Sequence, residues 1–95
     1  MDAKRSVLLV EDHPLVRDGV AALINREDDL AVSAAVASLK EARAALSQQL
    51  PDLVITDLTL PDGSGLEFVK DLRCQYGRLP ILVLSMHEEM LFATR

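Results

Sequence analysis

Residues 7–14 read VLLVEDHP, an apolar run of strand length that ends directly in two acids. Pro14 suits the first turn of a helix, because the amide hydrogen that proline lacks would have no partner there in any case. The stretch therefore predicts a strand, an acidic loop and a helix. Apolar positions then recur at helical spacing, at Leu15, Val16, Gly19, Val20, Leu23 and Ile24.

The same alternation continues along the chain. Ser38 to Glu41 (SLKE) has the pattern of a capping box, in which the serine oxygen accepts from the third amide and the glutamate reaches back. Pro51 ends that helix, because the residue before a proline is pushed out of the helical region. Residues 61–65 (PDGSG) form a turn cluster. The predicted strands are 6–10, 30–37, 53–56 and 81–84, and the third helix carries Phe68, Val69, Leu72 and Tyr76.

Strands that alternate with helices through short loops favour a parallel sheet covered on both faces. The strands also read as continuous apolar runs, which is typical of strands buried on both sides. The fold class predicted from these patterns is an open α/β sandwich.

Composition limits the function classes. Ninety-five residues make one small domain, and a hydrophobic content of 49% is enough for a core. The net charge of −5 argues against binding of DNA, RNA or an anionic membrane by this chain itself. A single cysteine, Cys74, allows no internal disulfide, and the run 7–10 is too short for a signal peptide or a membrane span. A soluble, cytoplasmic protein is expected.

Polar side chains follow three of the predicted strands. Glu11 and Asp12 end the first, Asp57 the third and Ser85 the fourth. Because ligands of open parallel sheets bind beyond the carboxyl ends of the strands, these groups should meet at one edge. Any two of the three carboxylates there repel each other with an electrostatic energy on the order of kcal/mol. A hard divalent cation is expected among them, and magnesium suits oxygen ligands and phosphate.

A carboxylate beside magnesium can act as a nucleophile and form an acyl phosphate. Ser85 could then donate a hydrogen bond to a phosphoryl oxygen. Simpler interpretations remain for single residues, since Asp12 alone could cap the first helix and Ser85 alone could begin the next one. His13 follows the acid pair and could approach the metal, but it is expected to point to solvent at the start of a helix.

Three stretches together resemble the receiver domain of two-component response regulators. They are residues 7–14 (VLLVEDHP), 54–65 (VITDLTLPDGSG) and 81–87 (ILVLSMH), and the match covers essentially the whole chain. The sequence motifs EDHP, RDGVAALI and LSMH resemble those of the subfamily whose receivers precede a LuxR-type helix-turn-helix DNA-binding domain. The resemblance implies a flavodoxin-like, doubly wound fold with strand order 2-1-3-4-5, of which this chain should form the first four strands, in order 2-1-3-4.

The resemblance also implies roles. Asp57 would accept a phosphoryl group from a phosphohistidine of a sensor histidine kinase, and Ser85 would be the switch hydroxyl that contacts it. The implied function is signalling rather than enzymatic turnover, with transcription controlled through a DNA-binding domain outside this chain. The implied Mg²⁺ ligands are Glu11, Asp12, Asp57 and the backbone carbonyl of Thr59.

The carboxyl end departs from the family pattern. A family receiver continues through a fifth strand and helix and carries a lysine that contacts the phosphoryl group, whereas this chain ends at Arg95. We therefore expect residues 1–95 to be an incomplete receiver domain. Its fourth strand should be an exposed edge that favours self-association, either by direct pairing or through a swapped segment.

Three other functions were weighed. A phosphatase of the haloacid dehalogenase type needs a second acid two residues after the nucleophile, where this chain has Thr59. A dinucleotide-binding fingerprint fails because Phe68 stands where the third glycine belongs. A pseudo-receiver, which keeps the fold as an interaction module without phosphoryl chemistry, remains open.

Overall fold

The computed structural model describes residues 4–84. All four predicted strands are present, with ends that differ by at most one residue from the prediction. The third helix begins at Gly65, the last residue of the predicted turn cluster. The elements are β1 (Arg5–Val10), α1 (Pro14–Asn25), β2 (Leu30–Val36), α2 (Leu39–Gln48), β3 (Leu53–Asp57), β4 (Thr59–Leu60), β5 (Gly63–Ser64), α3 (Gly65–Gln75) and β6 (Ile81–Leu84).

The main sheet is parallel and has the strand order β2-β1-β3-β6. This order confirms the prediction, since β6 is the fourth strand of that sheet. β4 and β5 form a separate antiparallel hairpin, in which β4 precedes the predicted turn cluster and β5 lies within it. The next two main-sheet strands along the chain, β2 and β3, lie on opposite sides of β1. The crevice beyond the ends of β1 and β3 is therefore the point where ligands bind in open α/β sheets.

Two hydrophobic clusters cover the two faces of the sheet, which confirms the doubly wound class. Side chains of β1 alternate between them: Leu8 and Val10 belong to the cluster with α2 and α3, whereas Val7 and Leu9 belong to the cluster with α1. Phe68 of α3 is fully buried in the first cluster. Not every apolar position of α1 faces inward, because Leu15 is 87% exposed.

β2 does not pair with β1 in one continuous register. Val7 pairs with Val32 and Leu8 with Ala34, so that Ser33 is left without a partner residue in β1. The Ser33 hydroxyl donates to the carbonyl of Val7 at 3.2 Å. At this bulge β2 has one residue more than the stretch of β1 with which it pairs. The hydroxyl of that extra residue satisfies the Val7 carbonyl.

The start of α2 is capped by two segments. Ser38 Oγ accepts from the Glu41 amide at 3.2 Å, as the capping box predicts. The Glu41 carboxylate reaches back, but it accepts from the amide of Ala37 rather than from Ser38. Asp62, from the turn between β4 and β5, accepts from the amides of Leu39 and Lys40 at 2.8 and 3.0 Å. Asp62 therefore ties the hairpin to α2 by satisfying two amides that a helix leaves unpaired.

Asp62→Asn is expected to lower the free energy of unfolding at neutral pH and to lose this effect in acid. The Leu39 and Lys40 amides lower the pKa of the Asp62 carboxyl below its ordinary value of 3.8. The charged form thus stabilises the fold above that value, and the contribution disappears as pH falls through the lowered pKa. Urea unfolding of both proteins from neutral to strongly acidic pH measures the difference. Asp28→Asn, an exposed loop acid, is the control, and a difference that is constant with pH would contradict the assignment.

Candidate functional site

The ends of β1 and β3 bring three carboxylates together. Glu11 follows β1 directly, and its amide donates to the carbonyl of Val36 at 2.9 Å, which extends the pairing with β2 by one residue. Glu11 is fully buried, and Asp57, the last residue of β3, is 6% exposed. Asp12 is partly buried beside them. The predicted convergence of these acids on one edge of the sheet is therefore observed.

The ligand atoms of the cluster are close enough to share one ion. One oxygen each of Glu11, Asp12 and Asp57, together with a ring nitrogen of His13, all lie within 4.8 Å of one another. The sequence favoured a solvent-facing ring for His13, whereas the structure places a ring nitrogen in the cluster. Its side chain is 55% exposed, but Nδ1 lies 2.6 Å from Glu11 Oε2 rather than pointing away to solvent.

Two buried carboxylate oxygens of the cluster have no hydrogen-bond partner among residues 4–84. Glu11 Oε2 accepts from the backbone amide of His13 at 3.0 Å and contacts its ring, whereas Glu11 Oε1 is buried and unpaired. Asp12 Oδ1 is also unpaired, because His13 Nδ1 lies 3.3 Å away without the angles of a hydrogen bond. Buried charged oxygens without partners are costly, so these two oxygens favour a positively charged ligand.

The charges of the site act on one another. Burial raises the pKa of the Asp57 carboxyl, and the nearby Glu11 raises it further, while the amides of Leu58 and Thr59 act in the opposite direction. The hydrogen bond to Glu11 and the charge of Asp12 raise the pKa of His13. Within the described part of the chain, no lysine or arginine forms an ion pair with these acids. Excess negative charge is therefore the main electrostatic property of this edge.

The donor set fits magnesium. Mg²⁺ prefers hard oxygen ligands and is commonly held by one or two carboxylates. Glu11 Oε1 and Asp12 Oδ1 are unpaired carboxylate oxygens, and they sit beside Asp57. A divalent ion there would offset the repulsion that raises the pKa of Asp57.

The segment after Asp57 is held close to it by a glycine. Asp57 Oδ1 accepts from the amide of Leu58 at 2.7 Å, which fixes the carboxylate. The amide of Gly65 donates to the carbonyl of Leu58 at 2.7 Å, where the first turn of α3 meets the end of β3. A Cβ on Gly65 would lie 1.9 Å from the carbonyl oxygen of Asp57. Only glycine permits this approach of backbone to backbone.

The remaining predicted site residues differ in what the structure describes. Thr59 opens β4, and its amide is directed to Asp57, but the role predicted for its carbonyl stays a prediction. Ser85 lies outside residues 4–84, so its role also stays a prediction.

Comparison with protein families identifies the family of the chain. Residues 7–95 match the model of the response regulator receiver domain. The chain belongs to this receiver family. This match argues against the haloacid dehalogenase and dinucleotide-binding interpretations. The chain is a receiver domain with relatives among transcriptional regulators of two-component systems.

Curated relatives of this receiver domain include two nitrate/nitrite response regulators. The homologue from Haemophilus influenzae is 38% identical over 88 residues, which are 93% of this chain and 42% of the relative. NarL from Escherichia coli strain K12 is 39% identical over 87 residues, which are 88% of this chain and 40% of the relative. The chain thus spans about two fifths of the length of these relatives.

Solved structures agree with the assignment. A LuxR-family two-component response regulator from Aurantimonas sp. SI85-9A1 is similar with a TM-score of 0.83 and 38% identity, over 97% of this chain and 66% of that one. The receiver domain of PhyR from Erythrobacter litoralis is similar with a TM-score of 0.79 and 27% identity, over 95% of this chain and 69% of that one. Within residues 4–84, no helix is long and apolar enough to cross a membrane.

Proposed function

We propose that this receiver domain accepts a phosphoryl group on Asp57 from the phosphohistidine of a sensor histidine kinase, in a reaction that depends on Mg²⁺. The observation that supports the proposal is the cluster of Glu11, Asp12 and Asp57 with its two unpaired oxygens. A pseudo-receiver has no need of such a cluster, because crowded buried acids reduce stability unless a cation joins them.

Asp57 acts as the nucleophile. The Leu58 amide holds Oδ1 at 2.7 Å, so the carboxylate cannot turn freely and is oriented before the donor arrives. A carboxylate oxygen forms the new bond to phosphorus as the bond between phosphorus and the histidine nitrogen breaks. The histidine of the kinase keeps the electron pair of the broken bond. The result is an aspartyl phosphate, which adds roughly two negative charges to this edge.

Magnesium would be held by Glu11, Asp12, Asp57 and the backbone carbonyl of Thr59. When bound, it supplies positive charge that offsets the negative charge of the carboxylates and of the phosphoryl oxygens. We further propose that Ser85 donates a hydrogen bond to a phosphoryl oxygen, which would link phosphorylation to the segment that follows β6.

The test is intact-mass analysis after incubation with acetyl phosphate, with Mg²⁺ and with a chelator. The expected result is one phosphoryl adduct in the presence of Mg²⁺ and none in the chelator. A chain that forms no phosphoryl adduct even in the presence of Mg²⁺ would instead be a pseudo-receiver.

Asp12→Asn is expected to weaken Mg²⁺ binding by about tenfold or more, since the loss of even an outer partner of a metal ligand has an effect of that size. The substitution keeps the shape of the side chain but removes its charge. Calorimetric titration of Mg²⁺ measures the change. Asp18→Asn removes an exposed acid of α1 and is the matched control. Equal Mg²⁺ affinities of the wild type and Asp12→Asn would remove Asp12 from the metal site.

The output of the intact protein is proposed from its relatives. One of them, from Mycobacterium tuberculosis, is a DNA-binding transcriptional activator, DevR/DosR, of which this chain covers 37%. We propose that residues 1–95 are the receiver part of a cytoplasmic regulator whose DNA-binding region lies outside this chain. Phosphorylation at Asp57 would then control transcription.

Self-association is the remaining partner proposal. Among residues 4–84, β6 pairs with β3 alone, and its side chains Leu82 and Val83 are 52% and 38% exposed. An apolar strand with an unpaired edge favours pairing with a second chain or with a swapped segment. Sedimentation of the chain at several concentrations tests this proposal, and a monomer at all of them would contradict it.

A further inference from the structure

The ring of His13 lies against the metal-binding acids although none of the roles proposed above requires it. His13 is the N-cap residue of α1, but its side chain makes no capping hydrogen bond to the helix. Its Nδ1 instead lies 2.6 Å from Glu11 Oε2 and 3.3 Å from Asp12 Oδ1. The backbone amide of His13 also donates to Glu11 Oε2 at 3.0 Å, which keeps the ring beside that carboxylate.

The spacing of these atoms fits ligands of one ion. Neighbouring ligands of an octahedral site with bonds of about 2.1 Å lie about 3.0 Å apart, and opposite ones about 4.2 Å. The separations of 2.6 and 3.3 Å from the His13 nitrogen are near the first value. The four ligand atoms all lie within 4.8 Å of one another, so a small inward movement would bring all four to one ion.

A nitrogen donor changes which ion the site prefers. Three carboxylates alone offer only hard oxygen ligands, which suit Mg²⁺. Imidazole suits zinc, nickel, copper and iron, and affinities of mixed nitrogen and oxygen sites rise along the first transition row toward copper. The fully buried, unpaired Oε1 of Glu11 shows that the acids beside His13 still have an oxygen available for such an ion.

We propose that His13 is a fourth ligand of this site, through which the receiver domain binds transition-metal dications such as Zn²⁺ and Co²⁺ more tightly than its carboxylates alone would. The proposal rests on the metal site of the proposed function and deepens it. Mg²⁺, which gains little from nitrogen, would be bound mainly by the acids. His13 is then the residue that determines metal specificity.

The test compares Mg²⁺, Co²⁺ and Zn²⁺ binding to the full chain with His13 present and with His13→Asn. Both proteins carry Cys74→Ser and His87→Asn, so that the exposed thiol and the second histidine do not compete for the transition metals. Calorimetry gives the three affinities, and the visible absorption of Co²⁺ reports nitrogen ligation independently of phosphorylation. NMR signals of the His13 ring should be shifted by bound Co²⁺.

His13→Asn is expected to lower Co²⁺ and Zn²⁺ affinity by about tenfold or more and Mg²⁺ affinity by less than about threefold. An equal loss for all three ions would overturn the proposal, because His13 would then only orient Glu11. Unchanged Co²⁺ and Zn²⁺ affinities would overturn it as well. His13→Gln repeats the comparison with a longer side chain, in case the asparagine variant folds poorly.

The same titrations separate this proposal from the proposed function. Co²⁺ binding that depends on His13, in a chain that does not bind Mg²⁺, would support the His13 ligand and contradict the Mg²⁺-dependent function. Mg²⁺ binding, together with a Co²⁺ spectrum that is the same with His13 and with His13→Asn, would contradict the His13 ligand and leave the Mg²⁺-dependent function supported. Absence of binding of any of the ions would overturn both.

Discussion

Asp57→Asn is expected to abolish phosphoryl uptake from acetyl phosphate. The amide of asparagine is a very poor nucleophile, and no other acid of the site occupies the end of β3 beside the Leu58 amide. The substitution nearly preserves the shape of the side chain, so the loss would be chemical rather than structural. Intact-mass analysis in the presence of Mg²⁺ measures it, and an adduct of unchanged yield on Asp57→Asn would overturn the assignment of the phosphoacceptor.

Two controls make that result specific. Asp28→Asn, in the loop between α1 and β2, removes an exposed acid and should leave phosphoryl uptake unchanged. Urea unfolding in a chelator should show that Asp57→Asn is at least as stable as the wild type. Burial and the charge of Glu11 raise the pKa of Asp57, so its charged form reduces stability at neutral pH and an uncharged amide removes that cost.

Gly65→Ala is expected to lower the free energy of unfolding by about 3 kcal/mol or more, at the upper end of what overpacking costs. The added Cβ would lie 1.9 Å from the carbonyl oxygen of Asp57 and 2.9 Å from its carbonyl carbon and from Leu58 Cα. These are backbone atoms, which cannot rotate away as the end of a side chain can. The first turn of α3 must move, and with it the segment that orients the Asp57 carboxylate. Phosphoryl uptake should therefore fall together with stability.

Gly19→Ala is the matched control for this experiment. Gly19 lies inside α1, and a Cβ there would have no atom within 4 Å. The same substitution should therefore stabilise the chain slightly, by about 1 kcal/mol at most, because alanine favours a helix. Urea unfolding of the two variants should give changes of opposite sign. Equal stabilities of Gly65→Ala and the wild type would show that the contact between α3 and Asp57 is not tight.

Much of the fold could be predicted because its signals are local. Each main-sheet strand is an apolar run with a clear end, and the SLKE capping box at 38–41 locates the start of α2. The contact of Asp62 with that helix could not be predicted, since it joins residues 23 positions apart through the packing of the β4–β5 hairpin. The bulge at Ser33 was also missed, because nothing in an apolar strand sequence fixes how it registers on its neighbour.

The candidate site divides in the same way. Topology alone brings Glu11, Asp12 and Asp57 to one edge, so their convergence followed from the sequence. The orientation of His13 did not, because a half-exposed residue at a helix start gives no signal of its own. The acids immediately before it were the only available hint. Ring orientation depends on local hydrogen bonds to Glu11, which residue type and spacing do not specify.

The bulge at Ser33 also has a consequence for solubility. β2 (LAVSAAV) contains no charged residue and, within the described residues, pairs with β1 alone. Flat, uncharged segments of six or seven residues are the type of sequence that stacks into amyloid. The irregularity at Ser33 divides β2 into two runs of three residues, Leu30–Val32 and Ala34–Val36. Bulges are one way in which outer strands avoid pairing with a second chain, so the irregularity at Ser33 is expected to disfavour such pairing of β2 in place of the charges that outer strands commonly carry.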